Sequence, residues 1–217
     1  MWFFLWVIFV LGMAGFFLWS YHTTYEQKRA WKTFAQKFNL QYISNKLMEP
    51  PTMTGDIKGC KVNFYPQVVE DNLGKRTTQT VVEVFLNKIP ETVCVVGSSN
   101  FGDFVNILDL PDPFNVDHGQ WPKSALARGF EEDYPQNWFL NNPKRVEAIA
   151  EVFKLPFASA FFTDGEQAFV AIRTPNPLSD PKRINQVVKK LFSVVEMLES
   201  ETVQQTVPEE ETEEKKR

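Results

Sequence analysis

The sequence predicts an α+β domain carried behind one N-terminal transmembrane helix. Three observations predict it. Trp2 to Trp19 are eighteen consecutive residues without a charged side chain. In two stretches between residues 60 and 86, with Val62, Phe64 and Val68 in one and Thr80, Val82, Val84 and Leu86 in the other, side chains alternate with the period of half-buried strands. From Ile184 to Leu198 they recur at three- and four-residue spacing, the stripe of a long amphipathic helix.

As a helix, Trp2–Trp19 spans roughly 27 Å, close to the hydrocarbon thickness of a bilayer. Eleven of its residues are Leu, Ile, Val or Phe, which favours insertion by roughly 3 to 7 kcal/mol. Cleavage as a secretory signal is not expected. The terminal amine is the one positive charge ahead of the apolar core, and bulky Phe17-Leu18-Trp19-Ser20-Tyr21 stands where small residues precede a cut. Trp2 and Trp6 at one end, with Trp19 and Tyr21 at the other, match the aromatic belts of two membrane interfaces. Residues 1–25 therefore read as an uncleaved, single-pass signal-anchor whose first partner is the lipid bilayer. Lys28, Arg29, Lys32 and Lys37 follow the span and no basic side chain precedes it. The positive-inside rule then places the soluble domain, residues 26–202, on the cytoplasmic side of an inner (cytoplasmic) membrane.

Residues 26–38 put Ala30, Trp31, Phe34, Ala35 and Phe38 on one helical face. Such a stripe suits an interfacial helix, or more commonly a first helix packed on a sheet. Asn39 is able to end it in a left-handed conformation. Strands follow at Gln41–Ile43, Met53–Lys58 and Cys60–Val69, with Pro66 arguing for an edge or a bulge. A turn at residues 71–75 leads to a strand at Thr77–Leu86. Thr92–Val96 is a continuous apolar run, as expected of a strand covered on both sides. The short turns favour an antiparallel meander, with about six or seven strands in the whole sheet and helices on one face.

Residues 97–142 carry four prolines, yet also Phe101, Phe104, Phe114, Trp121, Phe130, Tyr134, Trp138 and Phe139. That is too aromatic for disorder, and short helical turns with an edge strand are expected. Asn142-Pro143 and Asp180-Pro181 open two helices as cap and first residue. Between them Asp164-Gly165 marks a hairpin joining Ala158–Thr163 to Glu166–Thr174. Residues 203–217 read as a disordered acidic tail.

Charge narrows the function classes. Residues 199–217 hold seven Glu and three Lys/Arg, so the remainder carries 20 acids and 20 bases. A balanced body argues against nucleic acid, whose partners usually show a basic face. Cys60 and Cys94 match no metal spacing and read as two buried thiols in a reducing compartment, or as one disulfide if the topology is inverted. No Gly-rich phosphate loop and no G-x-S-x-G occurs, and no cofactor is expected. The one constellation of ligating groups is Asp109, Asp112, Asp117 and His118. Its spacing fits neither a calcium loop nor a zinc signature, and Asp beside Pro also serves turns. The expected role is an interaction or scaffold module held at the membrane, its partner another membrane or cytoplasmic protein. Two alternatives stand beside it. One is a module gripping a lipid or other apolar ligand in a cavity lined by Phe161, Phe169 and Leu191. The other is a hydrolase built on Asp109, Asp112, Asp117 and His118.

Overall fold

In the computed structural model, which describes residues 2–44, 49–70, 74–131 and 133–200, the apolar stretch and the helix after it form one unbroken helix, α1 (Trp2–Phe38). Its halves live in different surroundings. The apolar window is wholly unburied, and it is long and apolar enough to cross a membrane. From Gln27 onward, Ala30, Trp31, Phe34 and Ala35 are buried. Trp31 and Phe34 meet Phe64 of the sheet at ring-centroid distances of 5.7 and 5.8 Å. The Trp31 indole N–H donates to the Pro177 carbonyl at 3.2 Å. The second half of α1 is thus a core helix rather than an interfacial one. Asn39 ends it at φ 54°, the left-handed stop its side chain tolerates.

Among the described residues, nine strands make one antiparallel sheet in the order β1-β2-β3-β4-β9-β8-β5-β7-β6. β1 (Gln41–Ile43), β2 (Thr52–Ile57), β3 (Cys60–Glu70) and β4 (Arg76–Phe85) form the expected meander. The meander then fails: β5 (Cys94–Gly97) leaves β4, and the hairpin of β8 (Ala158–Thr163) and β9 (Ala168–Thr174) inserts between them. The reason is apolarity. β5 and β9 are buried along their whole length and all but the first residue of β8 is buried, so they take the middle of the sheet, where both faces are covered. Two short strands in the aromatic segment, β6 (Asp112–Pro113) and β7 (Leu126–Gly129), close the far edge. Pro66 is reconciled by register. β2 pairs with β3 no further than Phe64, so beyond that point β3 is locally an edge.

Helices lie on both faces, not one. The second half of α1, α3 (Asp133–Leu140), α4 (Pro143–Phe153) and α5 (Pro181–Glu199) cover the larger core. On the opposite face a 3-10 turn (Ser99–Phe101) and α2 (Gly102–Ile107) bury a smaller cluster on Val95, Ala160, Phe162 and Phe169. Six of the eight aromatics in residues 97–142 plug back onto the domain, whereas Phe130 and Tyr134 stay exposed. The caps form as predicted: Asn142 accepts from the Lys144 N–H at 3.1 Å and Asp180 from the Lys182 N–H at 2.9 Å. Asp164 closes the β8–β9 hairpin by accepting from the Glu166 and Gln167 amides. Cys60 and Cys94 are both free and buried. The register separates them by four strand spacings of about 4.8 Å, about 19 Å in all, far beyond disulfide reach. The turn predicted at residues 71–75 falls partly outside the described residues, and the acidic tail 203–217 wholly so.

Candidate functional site

The sheet has two ends, and α1 distinguishes them. At one end β4 and β8 begin while β5 and β9 finish, as the pairs Thr80–Thr174, Ala158–Arg173 and Gly97–Ala160 show. Leu40, just after α1, packs on Gly55 deeper in the sheet. Nine residues earlier, Trp31 already touches Pro177, past the end of β9. The apolar half of α1 therefore leaves the domain from the end where β9 finishes.

At that same end lies an open cleft of about 810 Å³. Val69, Glu70 and Gln79 of the β3–β4 hairpin form one wall. Ser98, Ser99, Asn100 and Asp103 form a second, polar one, and Phe153, Leu155 and Phe157 from the α4–β8 connection a third, apolar one. The sequence places these chemistries apart because each wall comes from a different connection between elements.

Arg173 ties the polar wall to the sheet. Its side chain is 4% exposed, lodged in a strand otherwise read as apolar, Ala168–Thr174. Its guanidinium donates to both carboxylate oxygens of Asp103, at 2.8 and 2.7 Å, and to the Asn100 carbonyl at 2.6 Å. It lies 4.5 Å over the Phe101 ring. This fork uses the planar donor geometry that only arginine has. Its Nε finds no partner among the described residues. Hydrogen bonding from Arg173 holds the Asp103 carboxyl below its usual range, against the opposing effect of burial. Asp103 is 46% exposed, so the cleft is shown a carboxylate rather than a free cation. On the same face Glu83 accepts from the Tyr65 hydroxyl at 2.6 Å and from the Asn63 amide at 3.1 Å. Asn63 in turn accepts from Thr54 at 2.7 Å. Burial, reinforced by Glu83, pushes the Tyr65 hydroxyl well above its ordinary value.

The residues singled out in the sequence fall elsewhere. Asp109 is exposed at φ 48° just after α2. Asp112 lies in edge strand β6 and accepts from the Glu131 amide at 3.3 Å. Asp117 and His118 line a separate depression of about 480 Å³ that neither Asp109 nor Asp112 reaches, and His118 accepts from the Gln120 amide. Among the described residues no three His, Cys, Asp or Glu side chains gather as a metal-binding group. Phe161, Phe169 and Leu191 are buried in the two core clusters, and none of them lines the cleft. Trp2, Trp6, Trp19 and Tyr21 are all exposed on the unburied half of α1. No motif or spacing in the sequence singles out Arg173 or Glu83. The available signal was a charge inside a strand of apolar residues, in Ala168–Thr174 and Val81–Phe85.

No family model matches the chain, and no curated protein matches its sequence. A solved structure with a similar arrangement is that of the mycobacterial trehalose monomycolate transport factor A, TtfA. It shares 11% identity over 80% of this chain and 94% of that one, with a TM-score of 0.48. At that distance no ligand or activity carries over.

Proposed function

We propose that this protein is a bilayer-tethered binding module: α1 spans the membrane, and the cleft beneath it takes an amphiphilic ligand from the adjoining leaflet. One observation carries the reading. The unburied apolar half of α1 leaves the domain from the same end at which the cleft opens. A cleft with a polar wall facing an apolar one matches a molecule with a head group and a chain, and ligand sites of this size are commonly lined in this mixed way. The four cations after the span support a cytoplasmic domain.

A photo-crosslinker at Ser99, an exposed residue of the polar wall, tests the reading in native membranes. Lipid-mass adducts at Ser99, absent when the crosslinker stands at exposed Ile107 on α2, are the expected result. Adducts to protein alone would refute the lipid reading. A scaffold role has its own support at the opposite end of the sheet. There Ile89, Tyr134 and Trp138 surround an apolar depression of about 430 Å³, with exposed Phe130 following β7. That surface faces away from the bilayer and is open to a protein partner.

A further inference from the structure

The geometry points to a second membrane contact: the β3–β4 hairpin rests on the head-group layer beside α1, so that the domain is held by two points rather than one. The inference builds on the tether reading and adds a fixed orientation to it.

Reach is the first argument. Phe64 of β3 is level with Trp31 of α1, their rings 5.7 Å apart. From Phe64 the strand continues six residues to Glu70, paired throughout with β4, a rise of about 20 Å toward the end from which α1 departs. The same rise along α1 is about 13 residues, which arrives close to Trp19, where the apolar span ends. The hairpin thus reaches the height at which the helix enters the bilayer.

Surface chemistry is the second. Val68 is 64% exposed although it continues the core-facing row of Val62 and Phe64. It shares with Ile43, Pro50 and Pro66, and with Glu49, Thr52 and Thr78, a depression of about 410 Å³ at the end from which α1 departs. Lys75 and Arg76 on the hairpin, Lys28 and Arg29 on α1, and Lys182 and Arg183 at the start of α5 belong to elements that reach this end of the domain. Among the described residues, the acids beside them in the chain or lining the depression are Glu26, Glu49, Glu70 and Asp180, and Glu70 and Arg76 pair with each other at 2.8 Å. An exposed apolar centre at the end from which a spanning helix departs, with more cations than acids on the elements that reach it, fits an interface of lipid head groups. A protein partner on this face would have to enter the gap between the hairpin and the membrane. The same hairpin supplies one wall of the cleft, so resting it on the membrane brings the mouth of the cleft to head-group depth.

The test places single fluorescent labels on the full-length chain in phosphatidylcholine–phosphatidylglycerol vesicles. Labels go at Val68→Cys, at its exposed cross-strand partner Thr78→Cys, at Gly12→Cys within the span, and at Ile89→Cys at the opposite end of the sheet. Cys60 and Cys94 are buried, and the unmutated chain measures any labelling of them. Severalfold stronger quenching by a head-group nitroxide at 68 and 78 than at 89 is expected. Quenching at 68 and 78 no greater than at 89, with Gly12→Cys quenched by a chain-centre nitroxide, would overturn the second contact and leave the tether standing. An unquenched Gly12→Cys would overturn the tether and this inference together.

Discussion

The Arg173–Asp103 pair gives the sharpest test of how the cleft is built. Removing one partner of a fully buried pair costs about 3–5 kcal/mol, whereas exposed pairs are worth about 0–1 kcal/mol. Here the cation is buried but its carboxylate partner is about half exposed. Water can replace part of Asp103, so Asp103→Ala is expected to cost about 1.5–2.5 kcal/mol, between those limits. Arg173→Met keeps the buried volume but loses the fork, the Asn100 contact and the packing on Phe101. A similar loss of about 1–2 kcal/mol follows. In the double mutant the two losses overlap, leaving a coupling of about 1–2 kcal/mol. The assay is thermal unfolding in detergent followed by tryptophan fluorescence, where each kcal/mol moves a domain of this size by about 2–4 °C. The pH dependence has a definite sign. The folded carboxyl titrates below its ordinary value of 3.8, so the stabilisation is present above that value and is lost as pH falls through the lower folded one. Asp103→Ala should lack that acid-range loss. Strictly additive single mutants, with coupling below about 0.3 kcal/mol, would refute the claim that this pair pins α2 to the sheet.

Three further outcomes are expected. A Cβ on Gly129 would stand 2.6 Å from the Pro135 side chain. Gly129→Ala should therefore lower the unfolding midpoint by overpacking worth about 1–3 kcal/mol, with partial recovery when Pro135→Ala is added. Asn142 caps α4 and also donates its amide to the Ser200 carbonyl at 2.8 Å. Asn142→Ala should cost about 1–2 kcal/mol, and Asn142→Asp, which keeps the cap alone, should cost less in the same denaturant titration. Glu151 of α4 accepts from Lys154 just past the end of that helix and from Lys190 on α5, and these bonds lower its carboxyl from 4.5 to about 2. Its stabilisation is complete above the unfolded value and disappears as pH falls toward 2. Glu151→Gln should flatten the stability profile across that interval by under about 1 kcal/mol, since water reaches the group.

Some of this molecule was legible in the chain alone because the cause was local. An eighteen-residue apolar run, Asn-Pro and Asp-Pro caps, an Asp-Gly turn and alternating strand faces each declare themselves within a few neighbours. So did the doubly covered β5, whose Thr92–Val96 run is apolar on both faces. The order of strands was not legible. Placing β9 beside β4 depends on which strands most need covering on two sides, a competition among segments some ninety residues apart. The second helical layer followed from that choice, since β8 and β9 at the centre required a cover that the aromatic segment supplied. The cleft was invisible for the same reason. Its walls come from three separate connections, and Asp103 meets Arg173 across 70 residues of sequence. Asp109, Asp112, Asp117 and His118 are close in sequence, but the fold puts Asp112 in an edge strand and Asp117 and His118 in a depression that Asp109 and Asp112 do not line. The apolar stretch from Trp2 to Trp19 was readable from composition. Where it leaves the domain, and that a cleft opens there, only the packing of Trp31 against Phe64 and Pro177 decided.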